Sequence, residues 1–182
     1  MLLKIINGIS RPLYIGAIIL GGTLSSCGVY PRILNFPYDP GGRSLNSPAG
    51  DINPQISGRY IVFSSDREGR QDIYLFDTQD RRLVDLPGIN ALDTIASHPA
   101  ISQDGNSIVF CGSREGRTDI YLYNKPTRQL RNLTEALKAE VRNPTISADG
   151  NMISFEAGAQ GQWNIMVIDR AGNGLNIPDV LR

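Results

Sequence analysis

The feature that most constrains this chain is a phrase written three times. "NPQIS" begins at Asn53, "HPAIS" at His98 and "NPTIS" at Asn143, a spacing of 45 residues each time. A second pair reinforces the repeat. "SSDREGRQDIYLFD" (64–77) and "CGSREGRTDIYLYN" (111–124) share eight of fourteen residues at a constant offset of 47. A period of 40 to 50 residues marks a repeat architecture, in which each unit buries its apolar face against the next.

The order of signals within a unit sets the secondary structure. A Pro-containing segment ending in Ile-Ser leads to a turn, clearest as Asp104-Gly105 and Asp149-Gly150. An apolar run follows: "YIVF" (60–63), "SIVF" (107–110) or "MISF" (152–155). A Gly-bearing polar loop leads to a second run: "IYLF" (73–76), "IYLY" (120–123) or "IMVI" (165–168). A weaker strand closes the unit in "RLVDL" (82–86) and "QLRNL" (129–133). The middle runs are apolar on consecutive residues, so both faces of their sheet must be covered. Four short strands in about 45 residues is the arithmetic of a propeller blade. The expected fold is therefore all-β: three four-stranded antiparallel blades, a partial or half propeller, over about 53–97, 98–142 and 143–182. In "REGR", Gly69 and Gly116 are expected to form tight hairpin connections whose flanking charges stay in water.

The first 26 residues have a different composition. Lys4 and Arg11 precede the uncharged run Leu13 to Leu24, and Ser25-Ser26 closes the stretch. That is the pattern of an export signal, because a spanning helix needs about 20 apolar residues and this run is shorter. Leu24-Ser25-Ser26-Cys27 resembles the lipobox of bacterial lipoproteins. The resemblance implies that Cys27 becomes the lipidated first residue of the mature chain, its acyl chains forming the only membrane contact. Gly28 stands where Asp commonly signals inner-membrane retention in that class, which favours the outer membrane. Residues 27–52 hold four prolines and four glycines without a sustained period, and are read as a flexible tether.

Charge and cysteines exclude several classes. The chain has 18 basic and 18 acidic residues, and removing residues 1–26 leaves a net charge of −2. Nothing in that balance points to nucleic acid. With Cys27 lipidated, Cys111 has no partner for a disulfide, and its alignment with Ser64 makes it a small strand residue.

Asn-Pro-x-Ile-Ser-x-Asp-Gly, then Ile-x-Phe, then Gly, then Asp-Ile-Tyr resembles the repeats of TolB-like β-propellers. The match runs from Asn53 to about Asn176. It departs from the pattern at Ser57-Gly58-Arg59 and at Trp163-Asn164-Ile165. The resemblance implies a periplasmic envelope protein. TolB itself carries an N-terminal α/β domain and six blades, and this chain has room for three blades.

Candidate sites are few. His98, the only histidine, aligns with Asn53 and Asn143, so its repeat position explains it without general-base chemistry. No Gly-x-Ser-x-Gly elbow and no His/Cys cluster at zinc spacing occurs, and the Asp-Gly pairs are better turn formers than calcium ligands. No cofactor or metal is expected. Asn53, His98 and Asn143 recur at one strand start near the expected channel mouth and form the candidate partner-binding ring.

The reading is a non-enzymatic envelope lipoprotein that binds a protein or peptide. Its rivals are a self-associating structural protein and a non-catalytic fragment of a propeller-containing hydrolase. Three blades are about half of a six-bladed ring, so Tyr60, Val62, Ile165 and Val167 are expected to lie partly in water at the ends. A homodimer would complete the ring. A partner could instead supply the missing blades, or residues 28–52 and the C-terminal "PDVLR" could cap the stack. No dedicated polar cap is evident in the terminal repeats.

Overall fold

The structure, a computed structural model, describes Asp39 and residues 41–175. The export segment, half of the expected tether (27–38 and 40, including Cys27) and residues 176–182 lie outside the described residues. No helix occurs among the described residues. Strands β1 (Asp51–Ser57), β2 (Tyr60–Ser65), β3 (Asp72–Asp77) and β4 (Arg82–Val84) form the first sheet, in that spatial order. The second comprises β5 (Ile95–Ile101), β6 (Ser107–Arg114), β7 (Arg117–Asn124) and β8 (Gln129–Asn132). The third comprises β9 (Glu140–Ile146), β10 (Met152–Ala159) and β11 (Gln162–Asp169). All pairs are antiparallel. The first two blades have the expected four strands and the third has three among the described residues. Where its fourth would begin, Gly174 bridges Ile168 and the Leu175 N–H donates to the Val167 carbonyl.

The sheets stack face to face, as the two-sided apolar runs require. β5 lies against β1, β2 and β3, while β9 lies against β5, β6 and β7. Two cores fill the gaps between blades. Val62, Ile73 and Leu75 of the first blade meet Ile101, Ile108, Phe110 and Tyr123 of the second. Val109, Cys111, Ile120 and Leu122 on the other side of the second blade meet Ile153, Phe155, Ala157 and Ile168 of the third. Each fully buried aliphatic side chain contributes about 1.5–3 kcal/mol. Cross-strand aromatic pairs, Phe63 with Tyr74 and Phe110 with Tyr121, stack with centroids 5.8 and 5.6 Å apart. Polar links fasten the blades: the Ile101 N–H donates to Gln55 Oε1, and the Gln103 N–H to the Ala148 carbonyl.

Four expectations change. Val62 does not face water; it is 0% exposed against the second blade, whereas Ile165 is 70% exposed on the far face of the third.

The repeated "REGR" forms two different loops. In the second blade Glu115 and Gly116 both have positive φ and make a two-residue hairpin turn between Arg114 and Arg117. In the first blade the strands part at Ser65 and Asp72, leaving a longer loop. Arg67 causes the difference. Its side chain is 3% exposed, not solvated. Its guanidinium donates to the carbonyls of Gly42, Ser44 and Leu45 and to Asp51, and lies over the rings of Phe63 and Tyr74.

The same side chain alters the tether. Its last part, from Gly42 to Asp51, is held on the first blade by those bonds, and β1 begins at Asp51.

A polar cap is also present. On the far face of the third blade, Thr145 and Ser154 are hydrogen-bonded, and Glu156 accepts hydrogen bonds from Arg142 and Asn143.

Candidate partner-binding edge

The first strand of each blade interrupts its pairing at the same point. Register shifts fall between Ile52 and Gln55, between Ser97 and Ala100, and between Arg142 and Thr145. Inside each bulge sits one of the three candidate residues: Asn53 at φ 50°, His98 at 49° and Asn143 at 52°. Left-handed backbone is tolerated best, glycine aside, by Asn, Asp and His. The repeat therefore writes Asn or His there for the backbone, and the following Pro54, Pro99 and Pro144 contribute no N–H to the broken ladder.

The three residues occupy one register position on the three first strands, of which β5 lies between β1 and β9. Asn53 is half-buried, and His98 and Asn143 are exposed. Asn143 is turned onto its own blade, its Nδ2 donating to Glu156 Oε1 at 3.0 Å. Its backbone N–H lies near the Cys111 thiol of the second blade. Burial pushes the Cys111 thiol up to about 11, against a smaller opposing effect of that N–H. Cys111 is thus a packed, inert thiol.

The Asp-Gly turns do turn chemistry. Ser102 Oγ donates to Asp104 and accepts from the Ser107 N–H, and Asp104 accepts from the Asn106 N–H. Ser147, Asp149 and Asn151 repeat the arrangement. Among the described residues no group of three or more His, Cys, Asp or Glu could hold a metal ion.

A groove of about 1090 Å³ runs between the second and third blades, beside the hairpin tips. Arg117, Lys138, Glu140, Arg142 and Trp163 line it. Two of its three cations are committed internally: Arg117 to Asp119 and the carbonyls of Thr134, Glu135 and Leu137, Arg142 to Glu156. The Arg117–Asp119 pair repeats Arg70–Asp72 of the first blade, and Gln162–Asn164 replaces it in the third with a neutral hydrogen bond of 3.3 Å.

Stacked antiparallel blades with their first strands together define the class: a β-propeller segment. The profile of the TolB beta propeller domain family matches residues 44–177. The chain belongs to that family. Among solved structures it is similar to TolB from Acinetobacter baumannii, at 24% identity and a TM-score of 0.54 over 71% of this chain and 32% of that one. It is also similar to the TolB candidate of Agrobacterium tumefaciens, at 27% identity and a TM-score of 0.55 over 70% and 46% of the two chains. The propeller domain of the trilobed protease from Pyrococcus furiosus shares the fold at 15% identity and a TM-score of 0.53, over 70% and 42%. This chain therefore spans less than half the length of each. No curated protein matches it.

Proposed function

We propose that the chain is an exported, lipid-anchored, non-catalytic propeller module that binds a protein or peptide partner along its first-strand edge. The observation that carries the reading is the threefold bulge, which sets Asn53, His98 and Asn143 at one position on neighbouring strands. Interrupted pairing leaves backbone groups there without ladder partners, and such groups suit an extended peptide. Other conspicuous polar residues, including Arg67, Arg70, Asp72, Asp104, Arg117 and Asp119, are consumed within the blades. The export pattern, the cysteine at its end and the TolB relatives support an envelope location on the periplasmic side, with the outer membrane favoured by Gly28.

Site-specific photo-crosslinking tests the reading. A photoreactive residue at position 98 in the full chain, expressed in cells, should give one discrete adduct with an envelope protein. The same probe at Arg128, in the turn before an outer strand, should give none. Equal adducts at both positions, or none at either, would reject the edge as the binding surface.

A further inference from the structure

The far face of the third blade is chemically unlike the two faces that occupy the same place in the preceding blades. Cross-strand registers identify the equivalent rows. Gln55–Val62–Leu75 faces the second blade, and Ala100–Val109–Leu122 faces the third. The corresponding row on the far face is Thr145–Ser154–Val167. The neighbouring rows are Ile52–Ser64–Ile73, Ser97–Cys111–Ile120 and Arg142–Glu156–Ile165. The central strand thus reads Val and Ser, then Val and Cys, and finally Ser and Glu.

Those central positions are where the next blade comes closest. Val62 and Ser64 are 0% exposed, Val109 is 0% and Cys111 3%. The second position lies inside the interface, since Cys111 belongs to the core shared with Val141, Ile153 and Phe155 of the third blade. A small side chain is needed for that approach. Glu156 is larger, and its carboxylate is fixed by Arg142 Nε and Asn143 Nδ2. The Arg142 guanidinium then lies flat over Trp163, 3.7 Å from the ring centroid. Beside them Thr145 and Ser154 satisfy each other at 3.1 Å.

We infer that this network is a terminal cap: Glu156, Arg142 and Trp163 close the third blade against a further sheet, whether from another protein or a second copy. Docking a blade there would take the Arg142–Glu156 pair out of water, which costs several kcal/mol per ion before any mutual attraction. It would also force Glu156 into the space of the incoming first strand. Terminal repeats of stacked architectures need such a polar outer face to remain soluble. The first blade is covered differently and only in part: the 42–51 segment is clasped by Arg67 and Phe63 beneath that guanidinium is 2% exposed, while Ile56 on the same face is 65% exposed. Apolar side chains remain on the far face, Ile165 beside Trp163 and Val167 on β11 and Met152 on β10, and the Arg142–Glu156 pair stands among them.

The test converts the cap into an interior face. Arg142→Ser, Ser154→Val and Glu156→Ser copy Ser97, Val109 and Ser64 in the full chain. Light scattering in detergent, with detergent mass subtracted, should find one wild-type chain per particle at micromolar concentration. The converted chain should self-associate at least about tenfold more tightly. A converted chain with native circular dichroism that stays monomeric overturns the inference. If the conversion prevents folding, Ile165→Cys in an otherwise wild-type chain decides alone. Absence of disulfide-linked dimers under oxidation supports the cap, and their formation through that face overturns it.

Discussion

Gly105 lies directly beneath the ring of Tyr60: a Cβ built on the glycine would fall 2.2 Å from the ring's Cε2 atom. The contact joins the turn of the second blade to the first, and the glycine's φ of 71° is left-handed. Gly105→Ala therefore suffers two penalties, about 1–2 kcal/mol of backbone strain and about 1–3 kcal/mol of overpacking. Gly116→Ala isolates the first, because φ is 78° there and nothing lies within 4 Å. Urea midpoints of the two variants should differ, with Gly105→Ala the weaker by about 1–3 kcal/mol. Equal losses would show that the Tyr60 contact yields freely.

Arg67→Ala should release the segment before β1. The substitution removes a guanidinium that is 3% exposed and leaves Asp51 facing a lost partner. Breaking a buried pair in this way costs about 3–5 kcal/mol. Limited proteolysis should then cut within residues 41–50 much faster than in the wild type. Arg67→Lys keeps the charge but not the fork that reaches three carbonyls, so protection should return only in part. Unchanged cleavage in Arg67→Ala would mean that other contacts hold the segment.

Acid should destabilise the stack through its turn carboxylates. The Ser102 hydroxyl and the Asn106 N–H hold Asp104 below the usual aspartate range. Asn173 does the same to Asp169, while Asn143 and then Arg142 lower Glu156. Each folded-state value lies below the unfolded one, so the unfolded chain binds more protons in acid. The stabilisation is whole above the ordinary values of 3.8 and 4.5 and is lost as pH falls through the lowered ones. Denaturation midpoints should be flat from about pH 7 to 5 and fall below about 4. Asp104→Asn should flatten part of that fall, and an identical acid limb would remove Asp104 from the account.

The two cysteines should behave oppositely. A fatty-acid analogue fed to cells should label the wild type and not Cys27→Ala, as the lipobox resemblance requires. In Cys27→Ala the remaining thiol, Cys111, is buried and its titration is pushed up to about 11, so maleimide at pH 8 should reach it only after unfolding. Rapid modification of the native chain would contradict the packing of the second core.

The strand pairs are legible in the sequence because each depends on local letters: apolar runs of fixed spacing, Asp-Gly turns and a recurring Ile-Ser. The two loops made by "REGR" are not, because Arg67 acts on a segment more than 20 residues upstream and no pattern within the repeat records it. The polar cap is partly legible. Aligning Glu156 with Ser64 and Cys111 shows a charge where the other blades place a small residue, although its partners Arg142 and Asn143 emerge only from the register of β9 on β10. The candidate ring is legible as a recurrence, but its cause, a left-handed bulge, is a property of the backbone.

The stacking of β5 on the first sheet and of β9 on the second has a consequence for how the molecule opens. Each blade draws its stability from nearest neighbours, so unfolding should travel as a front from the ends inward rather than as one event. The second blade, flanked on both sides, would keep its amide protons longest. The third, held on one face and closed by polar groups on the other, would exchange earliest. A short array of this kind behaves as a graded zipper, and its middle unit sets the lifetime of the whole.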